Sequence, residues 1–264
     1  MATSFDTICC AACFSKAGPQ LHACSACQAV YYCGPVCQRK HWRVHKKACK
    51  DDAEAAFRRY LARAVAGDAL SQYNVSVCLN AGNGTGVDGA ASLVWLRRSA
   101  DAGYAEAHFR LGIWYRDGVN VTVDAAKSMQ CFLRAAEAGH LRAHVKVGMC
   151  YRNAVGVAAN PSHSIAWFLR AAEAGDATAQ TAVGYCYVEG VGVVSDLVQA
   201  VAWFRRAADA GNQDGQAALG ECYLTGRGVT PDAAQAAALF RRAAEAGHAA
   251  AQRALDIMGP RTAP

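Results

Sequence analysis

Proline is scarce in this chain, at six of 264 residues, and long apolar runs are missing. Arg or Asp interrupts every helix-length stretch, so none reaches the roughly 20 apolar residues that span a bilayer. The first residues include Asp6 and lack a basic start followed by an apolar core, so we expect no secretory signal. Because 53% of the residues are hydrophobic, the composition also argues against disorder. These absences predict a folded protein without membrane insertion.

Cysteine, in contrast, is abundant, and eight of the thirteen cysteines lie within the first 50 residues. Without a secretion signal, this density indicates reduced thiols and a metal site rather than disulfides, and it predicts a cytoplasmic or nuclear protein. Residues 10–49 contain few large apolar side chains and cannot fold by burial alone. Bound metal must therefore supply much of the folding free energy of this segment.

Eight donors in this segment form closely spaced pairs, a pattern typical of two tetrahedral zinc sites. The pairs are Cys10 and Cys13, Cys24 and Cys27, Cys33 and Cys37, and His45 and Cys49. Two alternatives stay open. Cys9 could replace Cys10, although a two-residue spacer is the usual one. His41 could compete with His45, because Cys37, His41, His45 and Cys49 lie four residues apart on one helical face.

The same segment resembles the MYND-type zinc finger. The match includes Tyr32 before Cys33, Gln38 after Cys37, and Trp42 three residues before His45. That family interleaves its two zinc sites. The resemblance implies one zinc on Cys10, Cys13, Cys33 and Cys37, and a second on Cys24, Cys27, His45 and Cys49. Spacing alone leaves a sequential arrangement open.

The resemblance also implies a binding role for the finger. Peptide-binding members add a short proline-containing segment beside the hairpin, and residues matching Gln38 and Trp42 line the groove, with residues 30–32 as the candidate strand. Strand addition with side-chain pockets is a recurrent mode of recognition. Trp42 could instead fill the small core of the finger.

Positive charge is concentrated in the same segment. Residues 1–50 contain seven Lys or Arg against Asp6 alone, whereas the rest of the chain is balanced. Five cations share the predicted last helix of the finger: Arg39, Lys40, Arg43, Lys46 and Lys47. They lack the interleaved aromatic residues of single-strand binders, so a solvated helical face is the simplest interpretation. A nucleic-acid- or chromatin-associated factor is the alternative function.

The remainder of the chain repeats one unit, since Ala-Gly recurs every 36 residues from Ala66-Gly67 to Ala246-Gly247. A fixed period of this length indicates a solenoid, in which each repeat buries its apolar face against its neighbours. Each period predicts two helices around a Gly-rich turn, and Gly at the end suits a left-handed C-cap. Asp or Asn precedes each second helix as an N-cap. We call such a set of residues, one from each repeat at the same register position, a column. This column contains Asp88, Asp124, Asn160, Asp196 and Asp232.

Two further columns define the predicted core. Gly112, Gly148, Gly184 and Gly220 share one register position, where we expect close approach of paired helices; Ser76 replaces Gly in the first repeat. Cys78, Cys150, Cys186 and Cys222 share another, which Trp114 fills in the second repeat. Because Trp can replace the thiol, we interpret this column as core rather than as a metal or redox site.

These units, ending in Ala-Ala-Glu-Ala-Gly, resemble the Sel-one-like repeat, a relative of the tetratricopeptide type. The resemblance implies a mainly α fold, an α-solenoid of stacked helix pairs behind a small N-terminal two-zinc finger. The expected organisation is a tail at 1–9, the MYND-type finger at 10–49, a linker at 50–52, helical repeats at 53–258 and a tail at 259–264. The repeats comprise five full 36-residue units with flanking helices.

On each first helix, the residues at three positions differ from repeat to repeat. These positions fall at i, i+4 and i+7, so they form a stripe along one face of the helix. Matching the tetratricopeptide pattern places this face on a concave surface. We expect its large apolar members to form a groove for a second protein. These members are Phe109, Ile113, Val145, Met149 and Tyr185. The alternative is that the stripe packs between repeats or under the finger.

Together these features favour a non-enzymatic adaptor, in which the zinc finger binds short proline-containing peptides and the repeats bind a second protein. Some MYND fingers belong to lysine methyltransferases, but repeats occupy the whole of residues 53–258 and leave no space for a catalytic domain. The Gly-rich stretch at 82–89 lacks the Lys-Ser/Thr of a P-loop.

Overall fold

The computed structural model describes residues 52–259 and two short strands, β1 (His22–Ala23) and β2 (Tyr31–Tyr32). The strands pair in antiparallel fashion, with His22 opposite Tyr32 and Ala23 opposite Tyr31. The second strand falls within the candidate strand at 30–32. The eight predicted zinc ligands, Gln38 and Trp42 lie outside the described residues.

Beyond the hairpin, the described residues fold into helices joined by short turns. The helices are α1 (52–65), α2 (Ala69–Ala81), α3 (Gly89–Asp101), α4 (Ala105–Asp117), α5 (Ala125–Glu137), α6 (Leu141–Asn153), α7 (Pro161–Glu173), α8 (Ala177–Glu189), α9 (Leu197–Asp209), α10 (Gln213–Thr225), α11 (Ala233–Glu245) and α12 (Ala249–Met258). Even-numbered helices from α2 to α10 begin a repeat, and the next helix completes it. The chain divides into two compact units, residues 1–107 and 108–264. The predicted α-solenoid of stacked helix pairs is confirmed.

Capping residues set the boundaries of these helices. The predicted column before the second helices is confirmed, since each member accepts a backbone N–H of the first turn. A second column, which we did not predict, caps the first helices directly after the repeat-ending glycine. Its members are Asp68, His140, Asp176, Asn212 and His248. The two histidines accept through Nδ1, at 3.2 Å from the nitrogen of Ala143 and 3.0 Å from that of Ala251.

The predicted glycine column lies against a column of phenylalanines on the partner helix. A Cβ added at Gly112 would approach Phe132 to 2.6 Å, and one at Gly148 would approach Phe168 to 2.7 Å. Real Cβ atoms do not approach that closely, so the helices pair at a distance that only glycine permits. The close-approach prediction is confirmed. In the first repeat, Ser76 and Leu96 take the two positions, and both are buried.

Consecutive repeats meet at the turn between the helices. Gly156 has a φ of +70°, and a Cβ there would collide with the carbonyl of Ala125, the first residue of α5 in the preceding repeat. In the same way, a Cβ at Gly192 would collide with the carbonyl of Pro161, and one at Gly228 with the carbonyl of Leu197. Glycine suits these three positions for two reasons: it adopts the left-handed backbone readily, and it has no Cβ to keep neighbouring repeats apart.

Two turn positions with a left-handed backbone are not glycine, Asn120 and Ala154. Ala154 ends α6 in the left-handed conformation, with φ 54° and ψ 37°, where the fourth and fifth repeats have Gly190 and Gly226. Because a Cβ disfavours this region by about 1–2 kcal/mol, we expect Ala154→Gly to stabilise the fold by about 1 kcal/mol. Thermal unfolding measures the gain. Ala174→Gly is the matched control, since Ala174 has φ −77° and the same change should not stabilise there. An unchanged or lower midpoint for Ala154→Gly would contradict the strain.

Candidate protein-binding surfaces

The five residues predicted to line a groove lie at different depths. Tyr185 is 39% exposed, and Ile113 and Met149 are half-buried. Phe109 and Val145 are only 1% and 6% exposed. Their placement in an open groove is therefore wrong, whereas the other three reach the surface.

Contacts between repeats explain the burial of Phe109 and Val145. The Phe109 ring stacks on His140, the cap of α6, at a centroid distance of 4.3 Å, and it belongs to a buried cluster that includes Val147 of α6. Val145 belongs to a buried cluster that includes Val183 of α8. Both side chains therefore point toward the next repeat rather than toward solvent, as the inter-repeat alternative anticipated.

The exposed part of each stripe consists of its second and third positions. We call this surface the first-helix face, and restrict it to residues 108–264. It comprises Ile113, Arg116, Met149, Arg152, Tyr185, Val188, Glu221 and Leu224. It combines five apolar or aromatic members with three charged ones, which is typical of surfaces that bind proteins rather than of a folded core.

Charge is distributed unevenly among the helices that carry this face. Helix α6 contains three cations, Arg142, Lys146 and Arg152, and no carboxylate. Helix α10 contains two carboxylates, Asp214 and Glu221, and no Lys or Arg. On α4, Arg116 is paired with Asp117, with Nε 2.6 Å from Oδ1. The hydrogen bond from Arg116 lowers the pKa of the Asp117 carboxyl.

A cavity of about 290 Å³ opens on the face between α8, α10 and α12. Tyr185, Leu224 and Phe240 supply its large apolar walls, and Glu221 and His248 its polar rim. Small side chains create the space: Ala217, Ala218, Ala250, Ala251 and Ala254. Burial raises the pKa of the Tyr185 hydroxyl, and the nearby Glu221 and Asp214 carboxylates add to the effect.

The rim histidine is held from both sides. His248 Nδ1 accepts the N–H of Ala251 as the cap of α12, and its Nε2 lies 3.3 Å from Asp214 Oδ1. The cap fixes the ring at the start of α12, and Asp214 connects it to α10. The polar edge of the cavity is therefore preorganised.

The cysteine column is part of the core. Cys150, Cys186 and Cys222 are buried, and burial raises the pKa of each thiol. Neutral buried thiols are poor nucleophiles and poor metal ligands. Within residues 52–259, no three His, Cys, Asp or Glu side chains converge in a way that could hold a metal ion. The interpretation of this column as core is confirmed for Cys150, Cys186 and Cys222, whereas Cys78 is only half-buried.

The described hairpin lies between predicted zinc ligands in the sequence, since Cys24 follows β1 and Cys33 follows β2. The ligands themselves lie outside the described residues, and their assignment to two ions stays a prediction. The chemistry of the predicted donors, seven thiolates and one imidazole, matches the preference of zinc.

None of the helices in the described part of the chain combines the length and hydrophobicity needed to cross a membrane.

Family models match both parts of the chain. The MYND finger model matches residues 10–49. The Sel1 repeat model matches five consecutive segments, 69–104, 105–140, 141–176, 177–212 and 213–248. Both modules mediate protein interactions.

Curated relatives are similar over short stretches only. A histone-lysine N-methyltransferase of Arabidopsis thaliana, ASHR1, is 46% identical over 41 residues, which is 16% of this chain and 8% of the relative. A SET and MYND domain-containing protein of Dictyostelium discoideum is 52% identical over 33 residues, 12% of this chain and 6% of the relative. The chain thus spans less than a tenth of the length of either relative.

Solved structures resemble the repeats over most of the chain. The protective antigen c5321 of uropathogenic Escherichia coli, with an SLR fold, is 25% identical with a TM-score of 0.72, over 86% of this chain and 52% of the antigen. A Sel1 repeat protein from Oxalobacter formigenes is 31% identical with a TM-score of 0.67, over 73% of this chain and 79% of that protein. Since the repeat model matches more than half of the sequence, the chain belongs to the Sel1 repeat family and carries a MYND finger ahead of its repeats.

Proposed function

We propose that this protein is a non-enzymatic adaptor with two binding surfaces. The MYND finger, holding two zinc ions, takes a short proline-containing segment through Gln38 and Trp42. The repeats take a second protein on the first-helix face. We place the adaptor in the cytoplasm or nucleus, where its thiols stay reduced.

One observation carries the proposal for the repeats. The first-helix face exposes Tyr185 and Leu224 beside a cavity of about 290 Å³. Leaving large apolar side chains in water is unfavourable, so an exposed apolar patch with a polar rim marks a site for association. Repeat proteins use such extended surfaces to bind partners.

The chemistry of the described residues supports a binding role over catalysis. The raised thiol pKa values of Cys150, Cys186 and Cys222 leave these groups protonated. The similarity to a methyltransferase extends over 41 residues, about the length of the finger and far shorter than a catalytic domain.

The peptide site is tested by Trp42→Ala. Truncating a central tryptophan of an interface commonly costs at least about 2 kcal/mol, which corresponds to roughly thirtyfold in affinity. Proline-containing peptides selected on the intact chain should therefore bind the variant about thirtyfold more weakly, measured by calorimetry. Arg43→Ala is the matched control on the same predicted helix and should leave the affinity nearly unchanged.

Two outcomes would overturn this assignment. If Trp42→Ala loses zinc, Trp42 belongs to the core of the finger rather than to the peptide site. If the intact chain binds DNA or RNA tightly, and neutralising Arg39, Lys40 and Arg43 abolishes that binding, the finger is a nucleic-acid module. Binding to phosphates weakens steeply between about 50 and 200 mM salt, whereas binding in an apolar groove does not.

A further inference from the structure

The charge pattern of the helices that carry the first-helix face restricts the kind of partner that fits it. Three cations and no carboxylate on α6 favour an anionic stretch there. The two carboxylates on α10 disfavour continuation of that negative charge along the face. A nucleic acid, with uniform negative charge, matches only one end, whereas a polypeptide can change charge along its length.

The cavity at the α10 end restricts the partner further. Its volume of about 290 Å³ is at the lower limit of the roughly 300–1,000 Å³ of small-molecule sites. It therefore suits one large apolar side chain more than a whole ligand. Apolar anchors that fill such pockets are typical hot spots of protein interfaces.

The helices between the cations and the cavity are consecutive neighbours. Val145 of α6 and Val183 of α8 share a buried cluster, and Val188 of α8 packs against the cluster that contains Leu219 of α10. Packed helices are about 8–10 Å apart, so two to three steps span roughly 16–30 Å. An extended chain rises about 3.3 Å per residue and crosses this span in about five to nine residues.

We infer that the repeats bind an extended segment of a partner protein with acidic residues over α6 and one large apolar side chain in the α8–α10–α12 cavity. About five to nine residues separate the acidic residues of the segment from its apolar anchor. The inference rests on the proposed function, because it names the segment of the second protein that the repeats recognise.

A selection from random 16-residue peptides displayed on phage, with the intact protein as bait, tests this inference. The expected enriched peptides combine clustered Asp or Glu with one Leu, Ile, Phe or Met at the stated spacing. Synthetic forms are then measured by fluorescence anisotropy. Replacing the acids by Gln or Asn, or the anchor by Ala, should each weaken binding at least about tenfold, and neither change touches the fold of the protein.

Substitutions in the protein assign the two contacts. Lys146→Glu with Arg152→Glu should weaken binding of the acidic peptides at least about tenfold, and Arg241→Glu, an exposed site on α11, should not. Ala254→Leu fills the cavity and should weaken only peptides that carry the anchor. Ala238→Leu, exposed on α11 away from the cavity, is its control.

The remaining outcomes overturn the inference. Enriched peptides that depend on the first-helix face but show no acid or anchor preference would refute it and leave the adaptor proposal standing. If no enriched peptide depends on the face, the proposed function of the repeats fails as well. Displacement of the peptides by duplex DNA through Lys146 and Arg152 would show that the face binds nucleic acid.

Discussion

Removal of zinc is expected to unfold residues 10–49 while the repeats keep their helical signal. The segment lacks the apolar side chains for a core of its own, and structural zinc contributes about 10–16 kcal/mol in peptides of this kind. The described helices all lie at 52–258, outside it. Purified protein should therefore contain two zinc ions per chain, and chelation should expose the segment to proteolysis without changing the circular dichroism of the helices.

Paired substitutions identify the ligands. Cys10→Ser should release one zinc ion, and Cys9→Ser, one residue earlier, should retain both. At the other end of the segment, His45→Asn should likewise release one zinc ion, and His41→Asn should retain both. A protease-resistant segment without metal would refute the zinc requirement.

Gly184→Val is expected to destabilise the middle of the array. The added Cβ would lie 2.6 Å from Cδ1 of Phe204, whose side chain is buried. Overpacking of this kind costs about 1–3 kcal/mol, which lowers the melting temperature of a chain of this size by roughly 2–12 °C. Thermal unfolding followed at 222 nm measures the loss.

The control for this substitution is Gly86→Val, because a Cβ at Gly86 meets no atom within 4 Å. The first repeat also suggests a rescue, since it combines Ser76 with the smaller Leu96. Gly184→Ser with Phe204→Leu should be less destabilised than the sum of the two single changes. Unchanged stability of Gly184→Val would contradict the close approach of α8 and α9.

The regular columns were predictable because each records one physical requirement at a fixed period. Asp124 and Asn160 precede a helix, where their side chains satisfy backbone donors. Gly148 shares its position with three other glycines and faces a ring. The column that caps the first helices was missed because Tyr104, His140 and His248 interrupt its Asp and Asn residues, and neither tyrosine nor histidine is a preferred N-cap residue.

Depth was harder to predict than register. Phe109 lies in a variable column, which suggested an open surface, yet it is buried against His140 of the next repeat. Variation between repeats shows only that a position accepts different residues, and contacts between repeats accept them as well as solvent does. The cavity was equally hidden, because it arises from alanines on α10 and α12 that are distant in sequence.

The joint between repeats has an evolutionary consequence. The turn glycines at 156, 192 and 228 meet the main chain of residues 125, 161 and 197, which are Ala, Pro and Leu. A contact made by backbone atoms is indifferent to the side chain that its partner carries. At this contact, repeats can therefore be duplicated, lost or reordered without a compensating change in the residue that the glycine meets. The array can lengthen or shorten its binding surface in steps of 36 residues, and each new first helix is free to acquire its own charge.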